Sequence, residues 1–248
     1  MEVKIRPMNA LKDFVRTRFP ALVRFVNWLI NRTRMLSMSF RSPQAIFTDI
    51  YRRNSWGNPD SVSGPGSNLQ QTATVVLELP KLIEAYQVTS ILDVPCGDFF
   101  WMKTVDIGAI TYIGGDIVKE LIASNNTNFA NEHRKFVVMD ILNDPLPAVD
   151  LIFCRDCLVH LSFKDVRRAL GNFKASGSKY LVTTTFTRND KIADIATGQW
   201  RPINFCLAPF NFPEPMKIIT EHCTSGNGAY SDKSLGVWKI ADLPSARQ

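Results

Sequence analysis

Short apolar segments alternate with helical segments through the middle of the chain. Strands are predicted at residues 90–94, 111–115, 135–139, 149–154 and 179–185, helices at 73–86, 98–106, 118–130 and 163–175, and two more strands near 216–222 and 234–240. Parallel strands need a crossover between them, so the alternation predicts an α/β protein. The expected fold is a Rossmann-like, doubly wound, mostly parallel seven-stranded sheet with an N-terminal helical extension. Its ligand crevice would lie at the carboxyl ends of the strands.

The first three core strands each end in an aspartate or run directly into one. These residues are Asp93, Asp116 and Asp140, spaced 23 and 24 residues apart. In a doubly wound fold they share one rim, where an acid after the second strand can accept hydrogen bonds from ribose hydroxyls. Aspartates also cap helices, but three in register favour a nucleoside ligand.

The turn after Asp93 argues against a phosphorylated ligand. A dinucleotide site needs three glycines so that the backbone can approach a pyrophosphate, and this turn supplies only Gly97. It also places Asp98 where a carboxylate would repel phosphate. A cofactor that carries an ammonium and a sulfonium but no phosphate suits both acids, which favours S-adenosylmethionine over NAD and ATP.

Three parts of the sequence resemble class I S-adenosylmethionine-dependent methyltransferases. They are residues 91–98 (Ile-Leu-Asp-Val-Pro-Cys-Gly-Asp), the pair Asp116 and Asp140, and residues 150–161 (Asp-Leu-Ile-Phe-Cys-Arg-Asp-Cys-Leu-Val-His-Leu). The resemblance covers about residues 70–242. A narrower similarity, to a subgroup associated with glycan or surface-polysaccharide modification, rests on Phe47–Tyr51, Trp56–Gly57, Ser61–Ser67 and Thr72.

The resemblance implies a set of cofactor-binding residues. Asp93 and Gly97 would lie beside the methionine moiety, Asp116 would bind the ribose, and Asp140 with Ile141 would flank the adenine. Arg155 belongs to the same set and opens a segment that this class often turns toward the acceptor. The lid residues expected to close over the cofactor are Trp56, Ser63, Gly64 and Ser67.

Two residues after the fourth strand are candidates for removing a proton from a hydroxyl acceptor. His160 has the pKa suited to neutral pH, and Asp156 stands at the carboxyl rim. Each has a structural alternative, because His160 can cap the next helix and Asp156 can pair with Arg155.

A loop after the fifth strand is a candidate for binding the acceptor. Trp200, Arg201 and Asn204 combine an aromatic plane with hydrogen-bonding groups, which suits a sugar ring, although such a loop can also simply cover the core. Cys154 and Cys157 resemble half a zinc site, but no second pair of cysteines follows, so buried thiols and no metal are expected.

The first 41 residues differ from the rest of the chain in charge. They hold nine of the 29 basic residues and only two acids, giving a formal charge of +7 against −1 for the remainder. A nearly neutral domain disfavours a nucleic-acid substrate. Residues 11–36 have the pattern of a basic amphipathic segment, which either contacts a membrane surface peripherally or packs on its own domain or on a second subunit of a homo-oligomer.

We therefore expect an arm at residues 1–41, a lid or linker contacting the cofactor at 42–72 and a methyltransferase domain at 73–248. Five sparse cysteines, no leader and no run of 18 apolar residues predict a cytoplasmic protein, with any membrane association left to the arm. The expected reaction is O-methylation of a saccharide or other small hydroxylated acceptor. RNA or protein methylation aided by the basic arm is one alternative, and a non-catalytic binding module is another.

Overall fold

The computed structural model describes residues 41–245, together with residues 18–21, 23 and 26. The chain divides into two compact units, Met1–Arg41 and Ser42–Gln248. The predicted arm, with its amphipathic segment at residues 11–36, therefore lies almost entirely outside the described residues. Within the described part of the chain, no helix is long and apolar enough to cross a membrane.

A seven-stranded sheet forms the centre of the described residues of the second unit. Its strands are β1 (Ser90–Asp93), β2 (Thr111–Asp116), β3 (Arg134–Val138), β4 (Leu151–Cys154), β5 (Tyr180–Phe186), β6 (Lys217–Thr220) and β7 (Lys233–Lys239). They lie in the order β3-β2-β1-β4-β5-β7-β6, and neighbours among the first five strands are parallel. Strand β7 runs antiparallel between β5 and β6. The predicted Rossmann-like, mostly parallel seven-stranded fold is confirmed.

The described residues of the second unit also form four α-helices. They are α1 (Pro43–Arg52), α2 (Leu69–Ala85), α3 (Lys119–Phe129) and α4 (Phe163–Ala175). Ser42 begins α1, because its hydroxyl accepts the N–H of Ala45 and Pro43 fills a first-turn position whose N–H would have no helical partner. Asn68 and Ser162 cap α2 and α4 through their side chains in the same way. Helix α1 lies inside the predicted lid segment at residues 42–72.

The central strands are buried on both faces. Successive side chains of a strand point to opposite sides of the sheet. Leu92 and Ile152 accordingly belong to one apolar cluster, while their chain neighbours Ile91, Leu151 and Phe153 belong to the other. All five are fully buried. Continuous apolar runs of this kind are what a parallel sheet covered on both faces requires, and they hold the strand ends firmly in register.

The predicted helix at residues 98–106 is not formed as a regular α-helix. Only a short 3-10 turn, Met102–Thr104, appears in this range. Phe99 has a left-handed backbone conformation, with φ of 57°, and its ring is buried in the core. The carboxylate of Asp98 accepts the N–H of Phe100, which closes the chain into a turn at the point where a helix would begin.

Gly236 in β7 is a position where a larger residue does not fit. A Cβ atom there would lie 2.1 Å from Cη2 of Trp238, whose ring is fully buried. We expect Gly236→Ala to lower the free energy of unfolding by about 1–3 kcal/mol, the usual penalty for overpacking a core. Urea denaturation followed by circular dichroism measures it.

Trp238→Phe supplies the matching control, because phenylalanine lacks the three atoms that the new methyl group would meet. In the double variant, the loss in the free energy of unfolding should be smaller than the sum of the losses in the two single variants. Simple additivity would show that the ring is not the obstacle.

Candidate functional site

A deep pocket opens at the carboxyl ends of β1, β2, β3 and β4. It has a volume of about 1110 Å³, including its open mouth. The predicted site residues that line it are Trp56, Ser63, Ser67, Asp93, Gly97, Asp116, Asp140, Ile141, Arg155, Asp156 and His160. Gly64 stands just behind this wall, where a Cβ would lie 3.2 Å from the Cβ of Trp56. Residues from five separate parts of the chain are thus brought together around one pocket.

Asp93, at the end of β1, is a buried carboxylate at the floor of the pocket. It is 3% exposed, and the hydroxyl of Tyr112 donates a hydrogen bond to it. Burial raises the pKa of Asp93 to about 7, although the Tyr112 hydrogen bond opposes the rise. This carboxyl group is therefore poised to ionise near neutral pH, and a cation bound beside it would stabilise its charged form.

Asp116, at the end of β2, is the second buried carboxylate of the rim. One of its oxygens accepts the N–H of Gly97 at 3.1 Å, and the other accepts the N–H of Val118 at 2.9 Å. Burial raises the pKa of Asp116 to about 6, against the effect of these two hydrogen bonds. Each carboxylate oxygen can accept more than one hydrogen bond, so acceptor capacity is left for a pair of ligand hydroxyls.

Asp140 closes the turn after β3. Its carboxylate accepts the backbone N–H of Leu142 at 2.9 Å and the side-chain amide of Asn143 at 2.7 Å. Ile141, the following residue, is 8% exposed and presents apolar surface to the pocket. This edge of the pocket can therefore take the flat apolar face of a base such as adenine.

A second carboxylate in the first turn, Asp98, fastens the lid over the pocket. It accepts hydrogen bonds from the hydroxyls of Ser61 and Ser63, at 3.0 and 3.1 Å, and from the N–H of Val62 at 3.0 Å. Asp98 also lines the pocket, but most of its acceptor positions are taken by the lid and by the N–H of Phe100, which leaves little capacity for the cofactor's ammonium. Gly97 is required by the same contact, because a Cβ there would lie 2.2 Å from the Ser63 hydroxyl oxygen.

Helix α1 closes the pocket on another side. Phe47 and Tyr51 line it, and Trp56 continues this aromatic wall. The helix is fixed to α3 by Arg52, whose guanidinium lies 2.5 Å from Glu120. The lid segment thus joins the rim through charged groups and supplies three rings to the wall.

Four charged residues form a compact cluster at the other side of the pocket. Arg155 pairs with Glu221 at 2.5 Å and lies 3.3 Å from Asp156. Lys233 lies 2.6 Å from Asp156 and 3.3 Å from Glu221. Arg155 also donates to the carbonyl of Gly66 at 2.9 Å, which ties the lid to the cluster.

The cluster decides what Asp156 can do. Burial by itself would raise the pKa of Asp156, but the charges of Lys233 and Arg155 outweigh it and hold that pKa well below its usual range. A carboxylate stabilised this strongly is a poor proton acceptor, so the geometry favours an electrostatic role for Asp156 over a role as base. Its backbone is also left-handed, with φ of 52°, which aims the side chain toward Lys233.

His160 is placed and polarised as a base. Its Nδ1 lies 2.9 Å from the carbonyl oxygen of Gln199, and a carbonyl can only accept, so Nδ1 carries the proton and Nε2 is the acceptor. Burial lowers the pKa of His160, which keeps the ring neutral at pH 7. The ring of Trp56 lies beside it, with centroids 5.1 Å apart.

The three residues predicted to bind the acceptor do not line the pocket. Trp200 is 41% exposed and packs edge-on against Phe186 and Tyr230. Arg201 is buried and donates to the carbonyl of Leu161 at 2.6 Å. Asn204 donates to the carbonyl of Arg188 at 3.0 Å. Only Trp200 presents an open surface, and the other two side chains bind the backbone.

Sequence reasoning missed Glu221 and Lys233. Both lie beside the antiparallel strands β6 and β7, where no strand-to-helix turn marks a rim position. Lys233 is the first residue of β7, and the register that pairs it with Phe186 at the end of β5 brings it to the same edge as Asp156. The predicted strand at 234–240 could have indicated this position. The first residue of an antiparallel strand lies at the same edge of the sheet as the carboxyl ends of the parallel strands.

The part of the chain that the structure describes contains no group of three or more His, Cys, Asp or Glu side chains able to hold a metal ion. Cys154 is buried and Cys157 partly buried, and both are free thiols.

The comparison with protein families bears on the segment that carries this rim. Residues 92–175 match the family described as Methyltransferase domain. The matched segment runs from β1 to the end of α4 and carries strand ends that form the rim. The match agrees with the predicted enzyme class and cofactor and names no acceptor. None of the curated protein sequences matches the chain.

Three of the solved structures that are similar to this chain are methyltransferases of distant sequence. Human N-acetylserotonin methyltransferase in complex with S-adenosylmethionine has 12% identity and a TM-score of 0.48, with 78% of this chain and 58% of that chain covered. A Clostridium acetobutylicum methyltransferase has 16% identity and a TM-score of 0.39, covering 46% and 50%. The N-methyltransferase NodS from Bradyrhizobium japonicum has 16% identity and a TM-score of 0.43, covering 54% and 72%. The chain thus spans less than two thirds of the first two proteins.

Asp116 is the rim residue whose loss should weaken nucleoside binding most directly. We expect Asp116→Asn to reduce the affinity for S-adenosylhomocysteine at least about tenfold, the scale of one charge-assisted hydrogen bond. Isothermal titration measures it, with Asp106→Asn as a control, because Asp106 accepts only the N–H of Gly108 in an exposed turn. An unchanged affinity would remove the ribose role of Asp116.

The affinity for S-adenosylhomocysteine should also depend on pH. The pKa values of about 7 for Asp93 and about 6 for Asp116 lie above the ordinary value, so both acids gain protons as the pH falls from 7.5 to 5.5. Only the ionised forms attract the ligand's ammonium group, so affinity should fall with pH, by about tenfold or more over this range.

Asp93→Asn should remove most of the pH dependence and leave the smaller part due to Asp116. Titrations at five pH values in one mixed buffer separate the two contributions. A pH-independent affinity in the unsubstituted protein would show that the rim carboxylates do not face the bound ligand.

Proposed function

We propose that this protein transfers the methyl group of S-adenosylmethionine to a hydroxyl oxygen of a saccharide or similar polyhydroxylated acceptor. The observation that carries the proposal is the orientation of His160. Its Nδ1 proton is committed to the carbonyl of Gln199, which leaves Nε2 free to take a proton in a pocket that also holds two buried carboxylates. A hydroxyl acceptor needs this base, whereas a thiolate acceptor does not.

The residues of the rim fit the proposed cofactor. When bound, S-adenosylmethionine supplies a methyl group on a positively charged sulfur. Asp93 and Asp116 offer buried negative charge to the cationic end and the ribose, and Ile141 offers apolar surface to the base. The turn after β1 has no further glycine beyond Gly97 to cradle a phosphate, which also favours a cofactor without one.

The protein's own contribution to the reaction would be orientation and proton removal. The walls formed by Phe47, Tyr51 and Trp56 exclude water and hold the acceptor against the rim. Correct alignment of two reactants can lower a barrier by roughly 7–11 kcal/mol. His160 would take the hydroxyl proton as the oxygen attacks, and the nearby carboxylate of Asp156 would stabilise the imidazolium that forms.

The lining of the pocket supports a small acceptor that carries hydroxyls. Aromatic rings pack against the apolar faces of sugar rings, and charged side chains such as Arg155 and Asp156 bind hydroxyls. This view agrees with the similarity of the lid motif to the subgroup associated with glycan modification. Trp200, exposed beyond the pocket, would meet a more distant part of the same acceptor.

His160→Gln provides the sharpest test of the reaction. The amide keeps the size of the side chain but cannot take a proton, so methyl transfer should fall by about 100- to 10,000-fold. Transfer of labelled methyl to a panel of saccharides measures it, and the affinity for S-adenosylhomocysteine should stay unchanged. His133→Gln is the control, because the side chain of His133 is exposed and lies outside the pocket.

The same labelled-methyl assay separates the rival functions. Incorporation into RNA or into protein, with none into saccharides, would replace the acceptor class proposed above. Cofactor binding without transfer to any of the three would favour a non-catalytic binding module. A His160→Gln variant with nearly full activity would exclude His160 as the base.

A further inference from the structure

Arg201 is a buried cation without a counter-ion among the described residues. It is 6% exposed, and two of its nitrogens, Nε and Nη2, have no hydrogen-bond partner there. Its charge instead faces the ring of Phe163, whose centroid lies 4.7 Å from the guanidinium carbon. Burial lowers the pKa of Arg201 to about 10, so the side chain remains charged at neutral pH. A buried charge left unpaired is costly and calls for a reason.

The position of Arg201 supplies the reason. It is the last residue of a segment at residues 194–201, which we call the clamp segment. This segment holds the backbone on both sides of His160: the N–H of Gly198 donates to the carbonyl of His160 at 2.8 Å, and the N–H of Arg201 donates to the carbonyl of Val159 at 3.1 Å. The guanidinium of Arg201 then binds the carbonyl of Leu161 at 2.6 Å.

The clamp segment also fixes the proton on the ring. The carbonyl that accepts the Nδ1 proton of His160 belongs to Gln199, in the middle of the segment. Thr197 holds Ser162, the residue that follows the 159–161 segment. The hydroxyl of Thr197 accepts the N–H of Ser162 at 3.0 Å and donates to Asp165 at 2.6 Å. A ring held by its backbone and by one of its two nitrogens has only Nε2 left for chemistry.

Charged groups approach His160 from three elements. Asp156, after β4, favours the protonated ring, while Lys233 from β7 and Arg201 from the clamp segment oppose it. Lys233 is paired with Asp156 at 2.6 Å, so these two charges largely cancel at the ring. Trp56, from the lid, adds an uncharged aromatic surface. Burial is the main cause of the lowered pKa of His160, and the charge of Arg201 adds to it in the same direction.

We infer that Arg201 is a positioning residue that keeps His160 neutral and oriented as a base. It acts in two ways, by anchoring the backbone of the 159–161 segment and by adding a positive charge that opposes protonation of the ring. The inference rests on the proposed function, in which His160 takes a proton from the acceptor. It also reassigns Arg201, because its donors bind the protein backbone and do not reach the pocket.

Two substitutions separate the anchoring from the charge. Arg201→Gln can still donate a hydrogen bond to the carbonyl of Leu161 but carries no charge, whereas Arg201→Lys keeps the charge. The chain has three histidines, so their ring signals can be followed by nuclear magnetic resonance from pH 5 to 8 in the full-length protein. The signal of His160 is assigned by its absence in His160→Gln. The signals of His133 and His222 remain in that variant and are thereby distinguished from the signal of His160.

We expect the His160 ring of the unsubstituted protein to titrate below 6.5, the ordinary value for histidine. Arg201→Gln should raise the pKa of His160, and Arg201→Lys should leave it in place. Unchanged titration in Arg201→Gln would overturn the inference. If that variant does not fold, the unsubstituted protein still decides, because a His160 that titrates at or above 6.5 also overturns it.

A second readout separates this inference from the proposed function. The acid limb of the methyl-transfer rate against pH should move upward in Arg201→Gln together with the pKa of His160. If the resonance titration shifts but the rate profile does not follow, His160 is not the base and the proposed function fails, while the effect of Arg201 on the ring stands. If neither shifts, the inference itself fails.

Discussion

The carboxylate of Asp98 joins two parts of the chain that are 35 to 37 residues apart. Three donors of the lid converge on it, and hydrogen bonds to a charged acceptor are about twice as strong as neutral ones. Without this contact the lid would have no anchor on the β1 side of the pocket, and the wall that includes Trp56 would lose its support. The contact also explains Gly97, whose missing side chain leaves room for the Ser63 hydroxyl.

The two sides of the rim differ in the balance of their acidic and basic side chains. On the cofactor side, the carboxylates of Asp93 and Asp116 are buried with no basic side chain in contact, and their pKa values rise for that reason. On the other side, the acids of the four-residue cluster are matched by Arg155 and Lys233, and Arg201 adds a charge with no acid in contact. Among these residues, the unmatched negative charge therefore lies on the side of Asp93 and Asp116. Such a charge attracts a cationic ligand to that side of the pocket.

The sequence predicted the sheet and many of the residues that line the pocket, because both follow from local patterns. Apolar strands that end in Asp93, Asp116 and Asp140 reveal the rim directly, and the resemblance added the lid residues. The acceptor side was predicted less well. Its charges come from Glu221 and Lys233, which reach the rim only through the pairing of β5, β6 and β7, and strand pairing over such distances leaves no local signal. Arg201 and Asn204 were predicted to bind a ligand because the adjacent sequence does not indicate that their side chains bind the backbone carbonyls of residues distant in the chain.

The pairing of Asp156 with Lys233 spans 77 residues of the chain. A ribosome adds roughly 5–20 residues per second, so Asp156 leaves it roughly 4–15 s before Lys233 is made. During that interval Arg155 is the counter-ion already present for Asp156, and the lid has no complete cluster to bind. Strands β1 to β5 can assemble first, but the pocket reaches its final form only when the last hairpin docks. Newly synthesised chains should therefore form the parallel part of the sheet before they form a complete pocket. Docking of the C-terminal hairpin is then the step that completes the pocket.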